Sequence, residues 1–413
     1  MGLWQCPLES LVKRMQGTDF LVIGGGVIGI NIARELKRSH HGSTVTIIEK
    51  ESECGCHASG RNSGVLHAGF YYTADSLKAK FTRLGNKLLT EYCDQKNLKI
   101  NKCGKLVVAK NEKDQDFLDE LIKRGKNNQI ELNEITEKEA KEIEPRVKTD
   151  RRALFSPTTS SVDPLEVLRA MKQDALDEKV EFKTGVAYLG RKGKKVLTSS
   201  GSIEAKYVVN SAGLYADKIA GDYGFSKKYR ILPFKGLYLY SNEPKGSLRT
   251  NIYPVPDLRN PFLGVHFTLT VDGKAKIGPT AIPAFWREQY SGVNNFSLPE
   301  FYEIILRQLG LFAFSKFDFK QLAFDEIRKY SKARMANLAS SLLNGVEKGS
   351  YTKWGKPGIR AQLLDIDEKK LIMDFVLEGD DQSMHVLNAV SPAFTCSIPF
   401  SKYVCEEINR LTN

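Results

Sequence analysis

The reading of the fold turns on DFLVIGGGVIGINIAREL, residues 19–36. Phe20, Leu21, Val22 and Ile23 make the short apolar run that a buried parallel strand requires. Gly24, Gly26 and Gly29 follow at GxGxxG spacing, and Ile28, Ile32 and Leu36 recur every fourth residue, one face of a helix. A second apolar run begins at Val45 and ends in the acid Glu49, about 20 residues past the last glycine. Strand, glycine turn, helix, strand and terminal acid together form a dinucleotide-binding fingerprint. Gly24 permits the tight turn, Gly26 lets backbone approach a pyrophosphate, and Gly29 lets helix and strand pack closely. The helix N-terminus offers free N–H groups to the phosphates, and Glu49 accepts ribose hydroxyls.

Composition sets the outer limits. The chain has 413 residues, 41% hydrophobic and 27% charged, enough for one large or two medium domains and too apolar for disorder. Its formal net charge of +12 favours anionic partners: small carboxylates or phosphates, or an anionic lipid face. The basic residues are spread rather than striped and no recognition motif accompanies them, so no nucleic-acid partner is expected. Seven scattered cysteines form no CxxC pair, which argues against a zinc ribbon, predicts no metal site and suits a reducing compartment. The opening residues MGLWQCPLESLVKRM lack the apolar run of a signal peptide, and no stretch approaches the ~20 apolar residues of a membrane span. The expected location is cytoplasmic, with peripheral contact at the inner membrane left open.

Beyond the fingerprint, KCGKLVVA (residues 102–109) reads as a strand, followed by a charged helix over 112–126. Asp163-Pro164 opens an amphipathic helix over 162–176 as N-cap and first-turn proline. Residues 204–220 run strand, small-residue turn, helix, with Ser211, Ala212 and Gly213 where backbone passes close to a neighbour. Short strands split by Pro and Gly over 231–278 predict an antiparallel sheet. Residues 301–344 are helical and rich in Phe, with Arg328, Lys329, Lys332 and Arg334 clustered as a solvated basic face or a lipid-facing plate. Residues 385–408 return to strand, turn, helix. The chain leaves the nucleotide domain and comes back to it.

With those blocks in place, the sequence resembles the D-amino-acid-oxidase superfamily. RNSGVLHAGFYY, CGKLVVA, NIYPVPD, PFLGVHFT, GIRAQLLD and NAVSPAFT are similar to blocks of its L-2-hydroxyglutarate oxidases and dehydrogenases, from about residue 20 to residue 408. The resemblance implies an α/β fold: a Rossmann-like FAD-binding domain (17–92, 150–226 and 350–413) interleaved with a substrate domain on a mixed or antiparallel sheet with helices (93–149 and 227–349). It implies non-covalent FAD, oxidation of L-2-hydroxyglutarate to 2-oxoglutarate, and electrons passed to a membrane quinone pool or to oxygen. Small and polar Ser59, Gly60, Asn62, Ser63 and Gly64 suit a track lying against the cofactor. The resemblance adds Val27, Ile28, Lys50, Arg61, Val186, Ala212, Gly213, Ser391, Pro392, Ala393 and Thr395 to the cofactor residues.

Oxidising a 2-hydroxy acid requires a base for the hydroxyl proton and cations for the carboxylates. His67 at the end of the track is the expected base. His266, on an alternating strand, faces either the cavity or the core. Arg360, Lys235 and Arg259 are the expected carboxylate clamps, with Tyr72 and Tyr253 as hydrogen-bonding partners. Against the family pattern, Lys235 stands for Arg, Leu237 for an acid, Phe394 for a small residue and Lys356-Pro357 for Pro-Ala. Two other readings stay open: an amine oxidoreductase of the glycine or sarcosine type, and a flavin-bound protein without turnover.

Overall fold

The computed structural model describes residues 16–256, 262–315 and 319–412. Its central sheet is built on β1 (Gln16–Ile23) and β2 (Val45–Glu49), which run parallel, with the helix α1 (Val27–Ser39) between them. Beside β1 lies the parallel strand Gly201–Asn210, and beside β2 lies Glu181–Thr184. The C-terminal half of Gly201–Asn210 also pairs with Ser383–Asn388, so the last strand of the chain joins the first sheet. The apolar run in β1 is explained by burial on both faces. Val22 packs with α1 and the C-terminal helix Ala393–Thr412, whereas Leu21 and Ile23 pack with Ile48, Val208 and Ile219. Ile30, Ile32, Ala33 and Leu36 of α1 are fully buried in that first cluster, together with Phe400 and Ile408. Each buried Ile, Leu or Phe side chain of this set contributes about 1.5–3 kcal/mol.

A second sheet of eight strands runs in the order Tyr351–Trp354, Leu239–Ser241, Ala275–Gly278, His266–Leu269, Asn251–Pro254, Lys105–Val108, Arg152–Ser156, Asn133–Thr136. It is antiparallel except where Asn251–Pro254 runs parallel to Lys105–Val108. Arg152–Ser156 and Tyr351–Trp354, inside the ranges 150–226 and 350–413, therefore pair here and not with β1. A four-stranded sheet (Ile282–Pro283, Tyr229–Gly236, Gly358–Asp365, Lys370–Leu371) and a small one carrying Val65–Leu66 complete the frame. The helix Pro164–Asp177 opens as read: the Asp163 carboxylate accepts from the Leu165 N–H at 2.8 Å, with Pro164 in the first turn.

The helices Leu298–Phe314 and Phe319–Ile327 leave Tyr302, Leu306, Leu309, Phe324 and Ile327 exposed. Of the nearby basic cluster, Lys329 is buried against Glu326 and Arg334 lies 3.8 Å from Asp325. No described helix is long and apolar enough to cross a membrane.

The tightest packing is at the turn after β1. A Cβ on Gly29 would lie 2.1 Å from the Gly24 carbonyl oxygen and 2.6 Å from Ser211 Oγ. Gly29→Ala is expected to destabilise the fold by about 1–3 kcal/mol. Gly310, in a helix with nothing within 4 Å of an added Cβ, should gain up to ~1 kcal/mol on the same change. Urea midpoints of the two variants measure the difference, and equal midpoints would remove the packing argument.

Candidate active site

The C-terminal ends of β1, β2 and Gly201–Asn210 open into one cavity of about 700 Å³. Gly24 turns the chain with φ +109°, where a side chain would collide with the Ser211 carbonyl at 2.7 Å. Glu49 fixes the turn from the next strand: its Oε2 accepts from the Gly25 N–H at 2.8 Å and its Oε1 from the Glu51 N–H at 3.0 Å. Ser59 Oγ accepts from the Val27 N–H at 2.9 Å, serving the first turn of α1 from outside the helix. Among the described residues, the Ile28 and Gly29 N–H groups have no acceptor. That is the arrangement an N-terminal helix turn offers to a pyrophosphate.

From there the wall follows Ser59, Arg61, Asn62 and Ser63 to His67, and Ser391 to Thr395 closes the other side. Local hydrogen bonds shape this irregular track. Asn62 Nδ2 donates to the Ser59 carbonyl at 2.8 Å, and its Oδ1 accepts from the Gly64 N–H at 2.8 Å. The Thr395 hydroxyl accepts from the His67 N–H at 3.2 Å, tying track to closing loop. Size, glycine turn, unsatisfied helix N–H groups and strand-end acid all fit an extended dinucleotide.

At the far end a cavity of about 40 Å³ adjoins the large one, and Ser63, His67, Tyr238, Pro279, Arg360 and Ser391 line both. Tyr253 and His266 line the smaller space only. His266 stands on the face of its strand opposite the core residue Phe267, and its ring stacks on Tyr253 at 3.7 Å. Its Nδ1 lies 2.9 Å from the Gly264 carbonyl. Since a carbonyl only accepts, Nδ1 carries the proton and Nε2 keeps a free lone pair. Burial holds both histidines neutral. It lowers His67 to about 3, helped by the Lys105 and Arg360 charges, and lowers His266 well below the ordinary imidazole value. Arg360 has no carboxylate partner among the described residues, and its guanidinium lies 5.5 Å from the Phe262 ring. Glu326, which also lines the small cavity, is occupied by Lys329 and the Ala281 N–H.

The other residues read from the sequence are placed as follows. Every expected cofactor residue lines the large cavity except Gly29, Gly60 and Gly64, which serve backbone packing. A Cβ at Gly60 would lie 2.2 Å from the Gly55 carbonyl, and one at Gly64 2.4 Å from the Val162 carbonyl. Lys235 and Tyr72 line neither cavity. Lys235 is opposite Ile359 in its strand pair while Phe234 is opposite Arg360, so Lys235 and Arg360 point to opposite faces. Arg259 lies outside the described residues. Glu51, His57 and Glu288 bring ligand atoms within 4.8 Å of one another. Lys50 pairs with both acids, and Tyr290 Oη lies 2.7 Å from His57 Nδ1, which makes the cluster an ion-pair network. Tyr238 and Lys105 were not singled out from the sequence. A lysine opening the apolar strand KLVV was the available signal for Lys105.

Comparison with known proteins agrees with this geometry. The profile of the DAO family, described as FAD dependent oxidoreductase, matches residues 19–407. L-2-hydroxyglutarate dehydrogenase, mitochondrial, of Nematostella vectensis is 36% identical over 94% of this chain and 90% of its own length. L-2-hydroxyglutarate dehydrogenase of Escherichia coli strain K12 is 32% identical over 95% of this chain and 93% of its own. The solved structure of L-alpha-glycerophosphate oxidase from Mycoplasma pneumoniae with FAD bound shares the fold, with a TM-score of 0.74 at 22% identity, covering 97% of this chain and 95% of that one.

Glu49→Ala removes the carboxylate that holds the glycine turn and faces the cavity. It is expected to weaken cofactor retention about 10- to 100-fold, read as flavin absorbance per protein after gel filtration. Unchanged retention would show that Glu49 only shapes the turn.

Proposed function

This chain belongs to the DAO family of FAD-dependent oxidoreductases, among its L-2-hydroxyglutarate dehydrogenases, and from that premise we propose how its residues oxidise L-2-hydroxyglutarate to 2-oxoglutarate. The observation that carries the reading is the junction of the two cavities, where the Arg360 guanidinium, without a carboxylate partner among the described residues, meets two imidazoles kept neutral, His67 and His266. Bound FAD supplies the acceptor for the hydride from the substrate carbon.

The remaining work falls to the protein. Arg360 holds the carboxylate beside the reacting carbon by a charge-assisted, two-toothed contact. His67, which lines both spaces, takes the hydroxyl proton. A free His67 held at about 3 is a weak base. An arriving dianion offsets the Lys105 and Arg360 charges that help depress it, so binding strengthens the base where it is needed. His266, anchored through Nδ1–H to Gly264, presents Nε2 to the same space and orients the hydroxyl. The central sheet and the track after β2 form the cofactor half, the second sheet forms the substrate half, and the four-stranded sheet brings Gly236, Gly358 and Arg360 to the large cavity between them.

Electrons leave to a membrane quinone or to oxygen. The exposed row Tyr302, Leu306, Leu309, Phe324 and Ile327, on a protein of net charge +12, suits peripheral contact with an anionic membrane face such as the inner membrane.

Anaerobic mixing is expected to bleach the flavin with L-2-hydroxyglutarate and not with sarcosine. His67→Asn should slow the bleaching about 10²- to 10⁴-fold with cofactor retained. Bleaching by sarcosine alone would establish the amine-oxidising reading, and bleaching by neither would leave a flavin protein without turnover. Co-sedimentation with anionic vesicles checks the membrane contact: Leu306→Glu paired with Leu309→Glu should abolish it, and equal sedimentation of both proteins would exclude this face.

A further inference from the structure

Among the described residues, Lys105 is a charge without a counter-charge. It opens the strand Lys105–Val108 and is fully buried, 0% exposed. Its Nζ has no hydrogen-bond partner among the described residues, and neither does the neighbouring Tyr71 hydroxyl. The ammonium sits in an aromatic cage, 4.6 Å from the Phe70 ring, 4.7 Å from Tyr71 and 4.9 Å from Tyr253. Tyr253 is also a wall of the small cavity and the ring on which His266 stacks. Lys105 therefore stands one ring removed from the small cavity.

The register makes this placement specific. Asn251 lies opposite Lys105 and Tyr253 opposite Val107 in the parallel pair. Lys105, Tyr253 and His266 consequently share the face of the second sheet turned away from Leu106, Ile252 and Phe267. Among the described residues, the titratable groups that interact with Lys105 are Tyr71, Tyr253, His67 and His266, and none of them is an acid. Glu326, across the small cavity, is already paired with Lys329. Burying a lysine without an acid is costly, and an anion arriving nearby offsets that cost.

Resting on the functional reading above, we propose that Lys105 is the specificity-determining residue that recognises the second, distal carboxylate of a dianionic 2-hydroxy acid, while Arg360 holds the first. Lys105 lines neither cavity, so it acts on the distal carboxylate through space across the Tyr253 ring, while Arg360 contacts the first. Burial lowers Lys105 to about 7. It is charged below that pH in the free enzyme and loses its proton above it, unless an anion raises the value. Recognition of the distal carboxylate accordingly weakens as pH rises. At a separation of about 7 Å and an effective dielectric near 20, the attraction corresponds to roughly 50-fold in affinity.

The test compares L-2-hydroxyglutarate with L-2-hydroxyvalerate, the same five-carbon acid without the distal carboxylate. Lys105→Met in the FAD-loaded protein should lose about 50-fold in kcat/KM for the dicarboxylate, mostly through KM, and less than about 3-fold for the monocarboxylate. Equal losses on both acids would overturn the assignment. Wild-type protein gives an independent measure if the variant does not fold. Binding of glutarate, followed by the flavin spectrum, should weaken up to about tenfold per pH unit above 7 relative to pentanoate. A pH-independent ratio of the two affinities would also overturn it. Wild-type flavin that L-2-hydroxyglutarate does not reduce would instead sink the functional reading, and the glutarate-to-pentanoate comparison would still judge Lys105.

Discussion

The contact between the Gly24 carbonyl, Gly29 and Ser211 leaves no room for a side chain, and the rest of the molecule is arranged around it. Because helix and strand meet at backbone distance there, α1 starts immediately behind the turn and points its first N–H groups into the cleft. β2 then ends beside the same turn, which places Glu49 within reach of the Gly25 N–H. Any side chain at Gly29 would push the helix from the sheet and dissolve the geometry on which cofactor recognition rests. Local steric exclusion thus positions an electrostatic site.

The opposite end of the cavity obeys a different constraint. Its walls come from separate sheets: His67 follows the small sheet, Arg360 stands on the four-stranded one, and His266, Tyr253 and Lys105 share a face of the eight-stranded one. None of these sheets makes the site alone. Among the described residues Arg360 has no acid partner there, and the imidazoles are neutral because they are buried and positive charge is near. The free protein thus gathers positive charge and neutral imidazoles at one end of the cavity.

The sequence was most informative where function is carried by consecutive residues. The β1 run, the three glycines, Glu49 and the Asp163 cap are local, and each follows from sterics or hydrogen bonding within a few residues. The track through Ser59 and Asn62 to His67 was legible for the same reason. Face assignments were not. A period of two places His266 on one side of a strand without saying which side holds the cavity. Lys235 stood next in sequence to a cavity-facing register and points away from it, since its partner is Ile359 rather than Arg360. Lys105 was hidden because its significance lies in the missing acid, and an absent partner leaves no mark in a linear pattern. The interleaving was visible as a return to strand and helix near the C-terminus. The crossing of Arg152–Ser156 and Tyr351–Trp354 into the second sheet depends on long-range pairing.

The hydrogen bond from the His67 N–H to the Thr395 hydroxyl joins residues 328 positions apart. On a ribosome, the first nucleotide-binding elements emerge early while their closing wall is still untranslated. At synthesis rates of about 5–20 residues per second, the half-built cleft waits tens of seconds with its apolar faces open. The helix Ala393–Thr412, which buries Phe400, Val404 and Ile408 against α1, then acts as a latch that closes the cleft. Loss of that helix would therefore leave the earlier elements at their most aggregation-prone stage, however intact the cavity-lining residues upstream.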